Sequence, residues 1–226
     1  MNKLVKNLHS RKYEILLGAL TLHLFMGIFL NNVDLYVRFI WPINVLVLGI
    51  ASVGVFAEQK YWRKRVKNGL WILIVVLPFM RLYFEHINSF MIAFSFTYAA
   101  FFILIFHEVF KFLIRPSYVN TDLLSAAACG YFLLLEIAVF TLQAMYYILP
   151  YSFYNLDARN PVTIFMDLVY FSSISATSIG FGDITPATHH VKLFISLFGV
   201  ICQFYMVVLI GLLISKFTSN PAKKLK

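Results

Sequence analysis

Long apolar runs constrain this chain more than any other feature. A helix needs about 20 predominantly apolar residues to cross the hydrocarbon core of a bilayer. Residues 13–30, 35–57, 69–84, 90–114, 123–149 and 190–217 each form or approach such a run, with Pro42 a kink point in the second. The expected fold class is an all-α membrane protein with six transmembrane helices. Composition agrees: the chain is 61% hydrophobic and 13% charged, whereas soluble domains are about half apolar and a quarter charged. A seventh apolar segment, 164–175, is too short to cross. Non-helical backbone at membrane depth survives only where protein buries it or where it lines an aqueous cavity. This segment and the glycine-containing stretch behind it are therefore expected to dip into the membrane and return, between the fifth and sixth spans.

The net charge of +9 would suit nucleic-acid binding in a soluble protein. Here the basic residues cluster at the ends of apolar runs, so membrane orientation accounts for them better and no nucleic-acid partner is expected. With the N-terminus inside, the inner segments hold Lys3, Lys6, Arg11 and Lys12, then Lys60, Arg63, Lys64, Arg65 and Lys67, then Lys111 and Arg115, then Lys216, Lys223, Lys224 and Lys226. These are fifteen of the nineteen basic residues. Both termini are expected in the cytoplasm of a multi-pass cell-membrane protein, and the re-entrant unit opens outward. The first run follows a basic stretch but ends in "FLNNVD", without a small-x-small cleavage pattern. A retained helix is expected there. Cys129 and Cys202 lie inside apolar runs and read as small buried hydrophobes, not as a disulfide framework.

A boundary falls at "RPSYVNTD", residues 115–122. Pro116 cannot continue the fourth span, and Thr121 or Asp122 can cap the fifth. Two units are expected, 1–116 with four helices and 117–226 with the remaining pair and the re-entrant segment.

That segment runs into "ATSIGFGDITP", residues 176–186. The stretch "TSIGFGD" resembles the selectivity filter of potassium channels, Thr-Thr-Val-Gly-Tyr-Gly-Asp. Context agrees, because a short helix precedes it, an apolar span flanks each side and the motif faces outward. The chemistry suits the residue types. A cation entering a narrow pore sheds water, and backbone carbonyls from several chains replace the lost oxygens. Gly180 and Gly182 permit the positive φ that such a backbone needs.

The resemblance implies carbonyl rings for K+ from Ile179, Gly180 and Phe181 within an ion-binding stretch, Ser178 to Gly182. Ser178 adds a hydroxyl at the inner end. It implies Thr177 behind the filter, Tyr170 and Phe171 as a supporting aromatic pair, Asp183 directly after it, and a homotetramer in the lipid bilayer. A Tyr170–Asp183 hydrogen bond is expected, the alternative being Tyr170 packed as an apolar ring. The C-terminus of the short helix is expected to aim partial negative charge at the cavity. Two residues depart from the pattern: Ser178 stands for threonine and Phe181 for tyrosine. A looser filter, prone to inactivation, is expected from them.

The sixth span is expected to line the inner pore. The family's hinge glycine falls at Cys202, and Gly199 lies nearly one turn earlier and can take its place. Gln203 and Met206 are candidate cavity residues, with an interhelical hydrogen bond the alternative for Gln203. Six spans with a pore loop between the last two resemble the voltage-gated cation channel plan. The fourth span, however, carries only His107, Lys111 and Arg115 as basic groups. Voltage sensors need several arginines there, so weak or no intrinsic voltage gating is expected.

Arg81 with Glu85 and Asp34 with Arg38 are spaced to pair at i, i+4. Glu136, in the fifth span, is by default a functional residue, and the preferred reading is a structural hydrogen bond to the sixth span or to the short helix. "HEVFK" fails as a zinc motif because Lys111 stands where the second histidine belongs. His189 and His190 are either pH-sensitive or simply solvated. No soluble regulatory domain and no enzyme chemistry are expected. Three readings follow: a potassium-selective channel, a poorly selective monovalent cation channel of the same fold, and an intramembrane enzyme or silent subunit. An intact "SIGFG" argues against the last.

Overall fold

A computed structural model describes residues 11–29, 35–55, 76–81, 83–114 and 121–219. Helix α1 spans Lys12–Phe25 and tightens into a 3-10 turn, Met26–Phe29. A π-helical turn, Tyr36–Ile40, leads into α2, Trp41–Val55. The cause is Pro42: it lacks the N–H that would close the α-helical bond four residues back, so the ladder is disturbed ahead of it. Residues 76–81 and 83–84 are helical. Helix α3 spans Asn88–Ile114 and α4 Thr121–Ile148. Strand β1, Phe153–Tyr154, follows, then α5, Pro161–Ala176, strand β2, Thr185–Pro186, and α6, His189–Ser219.

Among the described residues, four helical stretches are long and apolar enough to cross a membrane: Lys12–Phe29, Asn88–Ile114, Asp122–Ile148 and His189–Ser215. The fold is mostly helical, as expected. Six spans are not all visible. The second is helical from residue 35 through the π turn to Val55, and its end at 56–57 lies outside the described residues. The third, expected at 69–84, lies largely outside the described residues, as do Asp34 and the side chain of Arg38. Thr121 and Asp122 fall inside the first turn of α4, not ahead of it. The short segment is longer than its apolar run, because Asn160 starts the helix before the run begins.

Helix α4 is the hub. It packs against α1, α3, α5 and α6, and it is far more buried than α6. An aromatic cluster fills the space around it: Trp41, Phe94, Tyr98, Phe102, Phe140 and Phe165 are all at most 1% to 2% exposed. Tyr98 stacks on Phe140 at 4.9 Å between centroids, and Phe140 meets Phe165 at 5.8 Å. Lipid tails are as apolar as these rings, so close packing, not water exclusion, holds such helices together. The first helices thus dock on α4 and α5 of their own chain.

Helix α6 keeps a long apolar face uncovered. Leu193, Val200, Phe204 and Val207 are each about 70% exposed. Its contact with α4 is fixed at one point, where Tyr205 Oη donates to the Ala127 carbonyl at 2.7 Å. Gly130 leaves room for that ring; a Cβ there would overlap the Tyr205 hydroxyl.

Candidate functional site

Residues 177–184 connect α5 to β2, and the helix before them is fixed at both ends. At its start, Asn160 Oδ1 accepts from the Val162 and Thr163 N–H groups at 2.9 Å, and Thr163 Oγ1 accepts from the Asn160 N–H at 3.3 Å. Pro161 at the first turn needs no partner for a missing donor. This capping box satisfies donors that would otherwise be orphaned.

At its end, Thr177 caps the helix with φ −85°. The Ser178 N–H donates to the Ser175 carbonyl at 3.1 Å, and the Ile179 N–H to the Ile174 carbonyl at 2.9 Å. Those two bonds define a Schellman motif, whose turn residue must be left-handed. That residue is Ser178, with φ +60°. The Gly180 N–H and Thr177 Oγ1 also reach the Ile174 carbonyl, at 3.2 and 3.3 Å. Thr177 Oγ1 further donates to the Ser173 carbonyl at 2.8 Å. Several of the last carbonyls of α5 are thus occupied by the loop, which weakens the negative end of the helix dipole toward any cavity below.

The φ angle then alternates in sign. It is +60° at Ser178, +53° at Gly180 and +80° at Gly182, while Ile179 and Phe181 stay negative. Alternation of handedness turns successive peptide carbonyls toward one side of a chain. Glycine bears a positive φ without penalty. Serine does not, and a β-branched threonine would be worse still. Two side chains of the loop stand away from the rest of the chain: Ile179 is 57% and Phe181 71% exposed.

Its far side is pinned. Tyr170 Oη donates to Asp183 Oδ2 at 2.7 Å, the bond expected from the motif. This bond holds the Asp183 carboxyl below the usual carboxylate range. Asn155, itself at φ +61°, donates from Nδ2 to the Asp183 carbonyl at 2.9 Å. β1 and β2 pair antiparallel, Phe153 opposite Pro186, and the Ala187 N–H extends the ladder to the Ser152 carbonyl at 2.8 Å. Phe171 is buried and meets Phe153 edge-on at 5.6 Å. Nearer the start of α5, Asp157 Oδ2 accepts from Arg159 at 2.6 Å, and that bond draws its carboxyl down.

The inner side is tied to α6. Gln203 Nε2 donates to Ser178 Oγ at 2.9 Å. Cys202 is fully buried, Met206 is 38% exposed, and a Cβ on Gly199 would meet nothing within 4 Å. The loop, Tyr170, Asp183 and Gln203 therefore come together; Gly199, Cys202 and Met206 lie along α6 without polar contact to the loop.

Glu136 departs from expectation. Its partner is neither α5 nor α6 but His23 of α1: Nδ1 to Oε1 is 2.7 Å, and both side chains are fully buried. The histidine sits among Trp41, Phe102, Phe140 and Phe165, at 5.5 to 6.4 Å between centroids. The reason is geometric: α1 packs directly on α4 and brings in a polar group on that face. Arg81 is buried as well, its guanidinium 4.6 Å over the Trp41 ring. Among the described residues its Nε and Nη2 find no hydrogen-bond partner, and the Trp41 ring gives the guanidinium a cation–π contact.

Sequence reasoning missed His23, Asn155, Asn160 and Tyr205. A lone histidine in the middle of "LTLHLFMG" was the available signal, since an ionisable group at membrane depth needs a partner. Cys129 and Cys202 are free and buried, as expected. Among the described residues, no cluster of His, Cys, Asp or Glu could hold a metal ion. What residues 178–182 can offer a cation is backbone and hydroxyl oxygen.

No curated protein and no solved structure matches the chain. A protein-family model described as an ion channel matches residues 132–219, less than half of the chain, from within α4 to the end of α6. That stretch contains α5, the whole loop and Gln203, and its similarity to the family supports an ion channel.

Proposed function

We propose that four copies of this chain surround a potassium-selective pore and conduct K+ passively. The observation that carries the reading is the alternating backbone of residues 178–182 within "TSIGFGD". On this reading four such loops face one axis. Carbonyls of Ile179, Gly180 and Phe181 and the oxygens of Ser178 replace the water that K+ sheds. Gly182 and the Tyr170–Asp183 bond hold the outer end, and Thr177 the inner.

Assembly accounts for two features of the single chain. The side chains of Ile179 and Phe181 are exposed, and α6 keeps a long apolar face uncovered. A fourfold arrangement gives both a neighbour or a pore to face. The α5 helix, at 16 residues, is too short to cross and fits a re-entrant pore helix. The unit 117–226 is then the pore, and 1–116 a sensor-like half with both termini cytoplasmic. Helix α3 bears no arginine, so the channel opens with weak or no intrinsic dependence on voltage.

One observation favours a second reading, a less selective monovalent cation channel. Phe181 carries no hydroxyl to tie the loop to its surroundings and is 71% exposed. Flux of K+ and of Na+ into liposomes holding the purified chain separates the readings. K+ uptake without Na+ uptake supports selectivity, equal uptake supports the second reading, and no uptake of either removes both.

A further inference from the structure

The Ser178 side chain raises a question that the channel reading leaves open. Threonine restrains its own χ1 through its second Cβ substituent, but serine rotates among three wells. A hydroxyl offers one donor and two lone pairs. Where it points decides whether an oxygen lone pair or a proton faces a cation. With serine, some other group must make that choice.

Gln203 is placed to do so. Its Nε2 donates to Ser178 Oγ at 2.9 Å across 25 residues of sequence. That hydrogen bond occupies one lone pair and fixes the direction of the other. Gln203 is the only carboxamide or charged side chain of α6 between Lys192 and Lys216. Ser178 itself is locked at the left-handed turn of the Schellman motif, so its Cα–Cβ direction does not drift.

We propose that Gln203 is the positioning residue of the innermost cation site: its amide orients the Ser178 hydroxyl oxygen toward the entering ion. This rests on the channel reading above, and it predicts something that reading does not. The affinity of the inner site depends on a residue of α6 that donates to the ligand and is not itself the ligand. The bond also joins the inner helix to the filter, so a displacement of α6 at Gln203 reaches the ion site directly.

The test uses the purified full chain in planar bilayers. Ba2+, close to K+ in size with twice the charge, is applied from the inner side as a probe of that site. Gln203→Leu removes the donor and keeps the bulk; Gln203→Asn keeps the amide but is about 1.5 Å too short. Both are expected to weaken barium block about tenfold, chiefly through faster barium exit, the size expected for one lost hydrogen bond. Ser178→Ala is expected to do the same, and Ser178→Ala with Gln203→Leu no more than either alone.

Unchanged block in Gln203→Leu overturns the proposal, and so do single effects that multiply in the double variant. The reversal potential in the same recordings tests the parent reading separately. A wild-type chain that does not reverse near the K+ potential defeats the filter reading, whatever the variants do. If Gln203→Leu does not conduct, Ba2+ binding to the solubilised protein by calorimetry reads the same site. There an affinity equal to wild type overturns the proposal, and a tenfold loss supports it.

Discussion

The buried pair of His23 and Glu136 gives the sharpest energetic prediction. The two groups lie 2.7 Å apart and neither is exposed. Four aromatic rings lie against the histidine. Truncating either residue to alanine leaves the other without its partner in that shell. Breaking a buried pair this way costs about 3–5 kcal/mol in soluble proteins. Interhelical hydrogen bonds in membranes average only about 0.6 and reach about 1.7 kcal/mol, because the unfolded chain also finds partners. The enclosure here argues for the upper part of the membrane range in the coupling. Cavity formation adds to each single truncation.

We therefore expect His23→Ala and Glu136→Ala each to destabilise by about 2–3 kcal/mol, with a coupling of about 1.5 kcal/mol between them. Glu136→Gln, which still reaches His23, should lose about 1 kcal/mol or less. The assay is reversible denaturant unfolding in detergent micelles, followed by tryptophan fluorescence, on the two singles, the double and the glutamine variant. Additive singles, with a coupling below about 0.3 kcal/mol, would refute the claim that this bond joins α1 to α4.

Other positions give simpler expectations. Gly182 sits at φ +80°, so Gly182→Ala should strain the loop by about 1–2 kcal/mol and abolish flux while gel filtration stays normal. Gly199 has open space around it and no positive φ. Gly199→Ala should stabilise α6 by up to about 1 kcal/mol and keep the current, and a lost current with an intact fold would make it the hinge. Asn160→Ala removes the cap of α5 and should lower unfolding stability by about 1 kcal/mol.

Acid sensitivity follows from Tyr170, whose hydrogen bond lowers the Asp183 carboxyl in the folded state. A depressed acid stabilises the fold above its unfolded value and loses that contribution as pH falls through the folded one. Tyr170→Phe should move acid inactivation of the current to higher external pH. An unchanged acid limb in that variant would mean the bond does not support the outer end of the loop.

Much of this architecture is legible in the sequence, and the rest is hidden for definite reasons. Runs such as 90–114 and 123–149 announce helices because length and apolarity alone decide them. The Tyr170–Asp183 bond could be anticipated because both ends lie in one recognisable motif. The His23–Glu136 bond spans 113 residues and leaves no local trace, beyond a polar residue in each of two apolar runs. Two-residue strands such as Phe153–Tyr154 are too short for alternation to mark them. The left-handed Ser178 was hidden because serine is not the residue that usually fills the turn of a Schellman motif. In the second span, Pro42 was readable as a disturbance, but not as the π turn it produces.

The central claim is that residues 178–182 form a K+ pore in a tetramer. The most direct test is the reversal potential of the purified chain in a planar bilayer, with K+ on one side and Na+ on the other. The account predicts a reversal far toward the K+ equilibrium potential, lost in Gly180→Ala. A reversal near zero, or a K+-selective current that survives Gly180→Ala unchanged, would contradict it.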